Sequence, residues 1–87
     1  PLTIVLLFYS PSPYEVSYPV GAYSDDDKAM LAAVAFVTPA QFLLPWAEFQ
    51  AAEGFPPFWQ AEVHTLHPDG VTSDEGAYYW LQHMEMV

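Results

Sequence analysis

The first segment of the chain is the plainest element in its hydrophobic pattern. Thr3–Tyr9 reads TIVLLFY, a β-branched, aliphatic and aromatic run without a charge, and it stops at the proline-rich residues 11–13. A short run that is apolar on both faces is typical of a strand inside a sheet. We therefore predict a central strand over Thr3–Tyr9.

The second segment, Glu15 to Tyr23, alternates instead. Its even-numbered positions carry Val, Tyr, Val and Ala, whereas the odd ones from 15 to 21 carry Glu, Ser, Pro and Gly. Alternation of this kind predicts a strand with one buried face. Because Pro19 lacks a backbone N–H, it favours an edge strand. The short connection from Tyr9 predicts an antiparallel hairpin.

Residues 24–37 predict a helix. Ser24 is a good N-cap residue, and Asp27 three positions later completes a variant of the capping box. The three consecutive aspartates suit the positive end of the helix macrodipole. The body that follows, Lys28–Val37, is rich in alanine, so we expect it to approach a sheet closely.

A second helical segment is predicted next. Thr38 and Pro39 resemble an N-cap followed by a proline at the first helical position. Aromatic residues then follow at positions 42, 46 and 49, which is helical spacing. Pro45 interrupts this segment, so we expect a kink or two short helices. Gly54 and Pro56-Pro57 are expected to end the helical region.

The C-terminal third predicts a hairpin. Phe58–Leu66 alternates as a half-buried strand does, and His67–Gly70 has the composition of a turn. Ala77–Val87 is ambiguous: Tyr78-Tyr79-Trp80-Leu81 favours a strand, whereas Ser73-Asp74-Glu75 is the start of an alternative short helix. We expect a strand that pairs back on Phe58–Leu66.

Together these elements predict one α+β domain over residues 1–87. Their order is β-β-α-α-β-β, with an antiparallel sheet of three to four strands and a kinked helical segment packed on one face. The chain is close to the lower size limit of independently stable cores.

Composition changes the picture at the level of function. The chain has a net charge of −10 and one lysine but no arginine, while 53% of its residues are hydrophobic. A disordered acidic tail is polar throughout, so this composition indicates a folded domain. Because self-repulsion lowers the stability of such a domain, we expect the charge to serve the binding of a strongly basic partner.

The same composition disfavours several other classes. Nearly cation-free chains are poorly equipped to bind nucleic acid directly or to hold phosphates. No glycine-rich phosphate loop occurs. Ser10 and Ser12 lie in the proline-rich run Ser10-Pro11-Ser12-Pro13 without a nearby base. His64 and His67 fall in a strand and the turn after it, on opposite sides, so with His83 they make an unlikely metal site. We expect no enzyme activity, no cofactor and no metal.

The cysteine count and the N-terminus bear on compartment. There is no cysteine, and secreted domains of this size are usually stapled by disulfides, so we expect a reducing cytosol. The apolar start is too short for a membrane span and lacks the basic region of a signal peptide.

Charge density limits how this chain can imitate a nucleic acid. A 9.8 kDa protein exposes about 5,200 Å², so ten net charges give about one per 500 Å², against about 110 Å² per charge on duplex DNA. Mimicry therefore requires clustering, although an ordinary solvated surface remains the alternative for each single residue. One candidate cluster is the turn region with Asp69; the other is an outward strand face with Glu62. The candidate partner-binding residues are Asp69, Asp74, Glu75, Glu62, Glu15, Asp25, Asp26, Asp27, Glu85, Tyr78 and Tyr79.

The whole chain resembles the small acidic proteins that bacteriophages use against host defence, in particular anti-CRISPR inhibitors of type I effector complexes and anti-restriction DNA mimics. The shared features are size, α+β build, lack of cysteine and near lack of cations. The run Gly21–Ala29 also resembles a strand-to-helix junction of small phage and bacterial proteins. The resemblance implies an inhibitor in the cytoplasm of a bacterial host that binds a Cas protein and blocks DNA recognition.

Two other interpretations remain open. The first is an immunity protein or antitoxin that caps a basic toxin, which uses the same electrostatics with another partner. The second is an acidic structural accessory subunit. Because the apolar first strand needs cover on its second face, a homodimer is also a candidate assembly.

Overall fold

A curved antiparallel sheet, shaped like half of a barrel, dominates the computed structural model. The structure describes residues 2–50, 53–54 and 57–86. One short helix packs on one face of the sheet, so the coarse α+β prediction is confirmed. The elements are β1 (Leu2–Ser10), β2 (Tyr18–Tyr23), α1 (Asp26–Phe36), β3 (Gln41–Leu43), β4 (Ala47–Phe49), β5 (Phe58–Leu66) and β6 (Thr72–Met86).

The sheet order is β2-β1-β6-β5-β3, and β4 pairs with the same edge of β5 as β3 does. The prediction of a central first strand is confirmed, since β1 lies between β2 and β6. The predicted edge position of β2 and its hairpin with β1 are also confirmed. β2 begins at Tyr18 rather than Glu15, because the turn after β1 extends further: the Glu15 amide donates to the Ser12 carbonyl at 3.2 Å.

The C-terminal hairpin is confirmed and is longer than predicted. β5 has the predicted bounds, and β6 pairs with it on one side and with β1 on the other. The alternative helix starting at Ser73 is wrong, because this segment satisfies its backbone groups by pairing with β5. Asp74 accepts a hydrogen bond from the Gly76 amide at 2.8 Å instead of capping a helix. The predicted last strand residue, Val87, lies outside the described residues.

The predicted second helical segment is wrong. Residues 41–43 and 47–49 form the short strands β3 and β4, so the predicted β-β-α-α-β-β order is wrong as well. Pro39 and Pro45 leave too few residues between them for a stable helix. The flanks bond to β5 instead: the Leu44 amide donates to the Glu62 carbonyl at 3.0 Å. Pro56, predicted to end this helical region, lies outside the described residues.

The first helix is confirmed with a cap displaced by one residue. Asp25, not Ser24, is the N-cap, and its carboxylate accepts the Lys28 amide at 2.8 Å. Ser24 instead accepts a hydrogen bond from the Lys28 ammonium at 3.1 Å. The helix ends at Phe36 because Val37 is extended ahead of Thr38-Pro39. Within the described part of the chain, no helix reaches the length and hydropathy that crossing a membrane demands.

The core lies between α1 and the middle of the sheet. Ala29 and Ala33 of the helix are fully buried against a cluster that includes Val5, Leu7 and Leu81. Leu7 and Leu81 face each other directly across β1 and β6. Because alanine has no side chain beyond Cβ, these two positions let the helix backbone approach the sheet closely. The expectation drawn from the alanine-rich body is therefore confirmed.

Tyr79 belongs to this buried side of the sheet. It was predicted as an exposed anchor, which is wrong: only 6% of it is exposed. Residue 79 shares the parity of Leu81 and therefore points towards α1, whereas Tyr78 points the other way. The Tyr79 ring lies 4.9 Å from that of Tyr9, centroid to centroid. Burial raises the pKa of both phenols above the usual 10.0. The nearby Tyr9 and Tyr18 add to the shift of Tyr79, whereas Tyr18 and Glu15 add to that of Tyr9.

Alkaline pH should therefore unfold the domain in a way that depends on Tyr79. A raised folded-state pKa stabilises the fold below the unfolded value of 10.0, and this contribution is lost as the pH rises through the folded-state pKa. Tyr79→Phe keeps the ring and removes the ionising hydroxyl, so we expect its alkaline unfolding midpoint to move to higher pH. Circular dichroism against pH measures this. Tyr14→Phe, at a position 96% exposed, should behave like the wild type, and an unchanged midpoint in Tyr79→Phe would contradict the assignment.

Candidate partner-binding surface

The face of the sheet opposite α1 carries a row of aromatic rings. Side chains alternate along a strand, so Phe8 and Trp80 point away from the core residues beside them. Their rings stack at 4.4 Å between centroids, and Phe58 meets Trp80 edge-on at 6.1 Å. Phe49 extends the row from β4, with its ring 5.9 Å from Phe58. We call this surface, with its neighbours Gln60, Glu62 and Tyr78, the open face, since no described helix covers it.

Two adjoining depressions follow the line between β5 and β6 on the open face. The first, of about 270 Å³, is lined by Ser17, Phe58, Gln60, Tyr78 and Trp80. The second, of about 160 Å³, is lined by Pro13, Gln60, Glu62, Asp74, Gly76, Ala77 and Tyr78. They adjoin, because both are lined by Gln60 and Tyr78, and we call the two together the seam groove. It is aromatic at one end and acidic at the other.

The aromatic end of the seam groove is held by a long-range hydrogen bond. The Trp80 indole Nε1 donates to the Ser17 hydroxyl at 3.0 Å, which joins β6 to the loop before β2. That loop also reaches the acidic end, since Pro13 lines the second depression beside Gly76. Gly76 has a φ of +77°, a value that favours glycine. The pairing of β5 with β6 shifts register in the same region, between Glu62 and His64.

Glu62 and Asp74 are the two carboxylates of the seam groove. The Glu62 side chain is 50% exposed, and its Oε2 lies 3.6 Å from the His64 Nε2, which is too long for a hydrogen bond. Among the described residues, that histidine nitrogen has no hydrogen-bonding partner. The chain's single lysine, Lys28, lies at the helix N-terminus and bonds Ser24. The acidic end of the groove therefore has no lysine or arginine of its own chain beside it.

The predicted turn cluster of Asp69, Asp74 and Glu75 is divided by the hairpin. Asp74 faces the seam groove, whereas Glu75 accepts the Ser73 hydroxyl at 3.0 Å. The hydrogen bonds from Thr65 and then Ser73 lower the pKa of Glu75. Asp69 accepts the Val71 amide at 3.0 Å and so supports the turn. The three carboxylates share one end of the molecule but do not form a single cluster.

The predicted outward strand face of Glu15, Glu62 and Glu85 is also corrected. Glu15 lies in the loop between β1 and β2. That loop is at the same end of the sheet as the turn between β5 and β6, and we call this the hairpin end. Glu85 pairs with Thr3, seven residues along β6 from the Tyr78 that pairs with Glu62; at about 3.3 Å per residue it is about 23 Å away. Glu85 has the parity of Leu81, so it is also on the other face.

Glu85 instead lies towards the helix N-terminus. His83, two residues before it, contacts Asp26 with 2.6 Å between the imidazole Nε2 and the carboxylate. Asp25 caps the helix and Asp27 is exposed in its first turn. The structure thus separates the candidate acidic residues into two end groups. The hairpin-end group is Glu15, Glu62, Asp69, Asp74 and Glu75, and the helix-end group is Asp25, Asp26, Asp27 and Glu85.

The predicted tyrosine anchors are separated by the face of the sheet on which they lie. Tyr78 is half-buried on the open face and lines both parts of the seam groove, whereas Tyr79 is in the core. Tyr14 and Tyr18 are exposed on and beside the loop before β2. The aromatic row of Phe8, Phe58 and Trp80 was not predicted as a site. Its signal in the sequence is the apolar second face of β1 and the odd-even pattern of β5 and β6.

Ser73 lies in a hydrogen-bonded chain that sequence reasoning missed. The His67 Nε2 is 2.7 Å from the Ser73 hydroxyl oxygen, which in turn donates to Glu75. Because the hydroxyl proton points to the carboxylate, the imidazole donates to serine here. A nucleophile and its general base have the opposite polarity, so this chain serves to hold the hairpin end together. Residues 2–50, 53–54 and 57–86 contain no group of three side chains placed to hold a metal ion.

Comparisons with known proteins add no assignment. No protein-family model matches the chain, and neither the curated proteins nor the solved structures include a match to it. The site must therefore be interpreted from its own geometry. The accessible surface of 5891 Å² corresponds to about 590 Å² per net charge, far sparser than the roughly 110 Å² of duplex DNA, so any electrostatic recognition depends on the two end groups.

Proposed function

We propose that this chain is a non-enzymatic inhibitor that occupies a basic nucleic-acid-binding surface on another protein. The observation that carries the proposal is that Glu62 and Asp74 line one depression with no lysine or arginine of the chain beside them. Because these two carboxylates have no lysine or arginine of their own chain to bond, a cation of another protein can form charge-assisted hydrogen bonds with them. The other hairpin-end carboxylates extend the same potential.

Electrostatic attraction of this kind mainly increases the rate of association and affects the choice of partner. A concentrated negative end steers the molecule towards a positive surface and disfavours neutral or acidic partners. Surfaces that bind nucleic acid are positive because they neutralise phosphates. An acidic domain that binds such a surface excludes DNA from it. The resemblance to phage anti-CRISPR proteins favours a Cas effector as the target, with DNA recognition blocked by mimicry of its charge.

The proposal predicts that the hairpin end matters more than other acidic positions. We expect Asp69→Asn, Asp74→Asn and Glu75→Gln combined to weaken capture of the target about tenfold, because each exposed pair contributes about 0.2–1 kcal/mol. The measurement is a pull-down against purified type I and type II effector complexes, followed by affinity titrations between low and physiological salt. The control is Glu48→Gln with Glu53→Gln, two positions outside both end groups, and the losses are compared per charge removed.

Three outcomes bear on the proposal. Affinity that falls steeply with salt, with the hairpin variant weaker than the control, supports it. Equal losses per charge removed from the two variants contradict the role of the hairpin end. Affinity that does not change with salt contradicts the electrostatic basis, and failure to bind any effector contradicts the CRISPR target.

A further inference from the structure

We propose that the seam groove receives an extended arginine-bearing segment of the partner, with the pattern Arg-x-Arg. One guanidinium bonds Glu62 on the side of Asp74, and the second stacks on Trp80 beside Phe58. This inference rests on the proposed function, since it specifies how a basic partner is recognised. It adds a chemical preference, arginine over lysine, and a spacing.

The spacing follows from the sheet. Glu62 and Gln60 are two residues apart on β5, and their partners on β6 are Tyr78 and Trp80. Two residues of a strand span about 6.6 Å. An extended peptide places alternate side chains on one side with the same repeat. Glu62 and Trp80 are therefore offset by two residues along the sheet, and a segment lying along the groove brings two side chains separated by one residue to them together.

The aromatic end suits a guanidinium. The faces of indole and phenyl rings are electron-rich and attract cations, and arginine also stacks on them through its own plane. Trp80 is fixed by its bond to Ser17 and by its stack on Phe8, so its orientation is set before a ligand arrives. A lysine ammonium gains less, because it is a strongly hydrated point charge that cannot stack.

The acidic end suits the same group. Carboxylates accept arginine through two parallel N–H···O bonds, which is a stronger and more directional contact than lysine makes. Glu62 is half-exposed, and the basic side chain beside it is His64, whose Nε2 lies 3.6 Å from the Glu62 Oε2. One Asp74 oxygen already accepts the Gly76 amide, which fixes the side chain. The second depression of about 160 Å³ gives the guanidinium a place beside both.

Charge selects a basic segment over a second copy of this chain. A two-fold dimer through the open face brings the same patch of both copies together. The carboxylates of Glu62 and Asp74 would then face a second acidic groove, and each copy carries a net charge of −10. A partner with arginines reverses that sign, and it also covers the half-buried rings of the open face.

The test uses short peptides as probes for the whole domain. The probe is acetyl-Gly-Arg-Gly-Arg-Gly-amide, compared with the same peptide carrying lysines and with acetyl-Gly-Arg-Arg-Gly-Gly-amide, which has the same charge but adjacent arginines. Nuclear magnetic resonance follows the Trp80 indole signal, identified with Trp80→Phe, during titration. We expect the Arg-x-Arg peptide to shift this signal and to bind about two- to fivefold tighter than the lysine peptide, and tighter than the adjacent-arginine peptide.

Paired variants locate the binding. Glu62→Gln with Asp74→Asn should weaken the Arg-x-Arg peptide about fivefold. Glu48→Gln with Glu53→Gln removes the same charge from exposed positions outside both end groups and should leave the affinity within about twofold. These four positions are on the surface, so the comparison holds even if Trp80→Phe alters folding.

The outcomes distinguish the proposed arginine site in the seam groove from the proposed function. Equal losses from the two pairs, no indole shift, or equal affinity for arginine and lysine peptides would overturn the groove, while salt-dependent capture of a basic effector would still support the proposed function. Conversely, the expected peptide results together with no effector capture would keep the groove as an arginine receptor and reject the proposed target.

Discussion

Replacing Leu81 with alanine should lower the free energy of unfolding by about 3–5 kcal/mol. Leu81 is 0% exposed and lies on β6, the strand that pairs with both β1 and β5. Its removal leaves a cavity opposite Leu7, beneath the close-packed alanines of α1. A domain of this size has a total stability of about 4–13 kcal/mol, so the loss is a large part of the whole. Urea denaturation followed by circular dichroism measures it.

Leu31→Ala is the matched control, since it removes the same atoms from a helix position that is 73% exposed. We expect a change within about 0.5 kcal/mol there. If the two variants lose similar stability, the packing of α1 on the sheet described above is wrong. If Leu81→Ala is folded but its free energy of unfolding falls with urea at a different slope, the substitution has also changed the surface exposed on unfolding.

Ala33→Leu should be the second most damaging change, with a loss of about 1–3 kcal/mol. Ala33 is fully buried where α1 meets the sheet. Three extra carbon atoms at this point force the helix away from β1 and β6 or push side chains out of their preferred rotamers. Thermal and urea unfolding both report the effect.

Ala35→Leu provides the comparison on the same helix. Position 35 is exposed, and leucine has a helix propensity close to that of alanine. We therefore expect near-wild-type stability from this variant. A stable Ala33→Leu protein would contradict the close approach of the helix to the sheet.

The sequence was sufficient for elements whose pattern is local. The apolar run of β1, the alternation of β5 and the turn composition after β5 can each be recognised within a few neighbouring residues. The structure confirms all three. The helical prediction for residues 38–50 was wrong because a contact distant along the chain decides their structure. Phe42, Trp46 and Phe49 have helical spacing, yet the partner that decides the outcome is β5, which is distant along the chain. Pairing of that kind is not encoded in the segment itself.

The acidic character of the candidate site could be predicted from the composition, but the positions of its residues relative to one another could not. The near absence of cations indicated acidic recognition without any structure. The approach of Glu62 to Asp74 depends on the register shift near Gly76, which no local pattern specifies. Tyr78 and Tyr79 differ only by parity, so their roles depend on which face of the sheet receives α1. The aromatic end of the seam groove requires three strands to be placed side by side.

The pairing of the first strand with the last also governs when the molecule can assemble. Thr3 pairs with Glu85, and the register continues without a break to Ser10 and Tyr78. During synthesis, the apolar side of β1 must wait for β6 to leave the ribosome before the central pair of the sheet can form. Such non-local closure slows folding. Until β6 is made, the edge of β1 opposite β2 therefore lacks its partner strand, and the abundant negative charge of the chain helps to keep neighbouring copies apart during that interval.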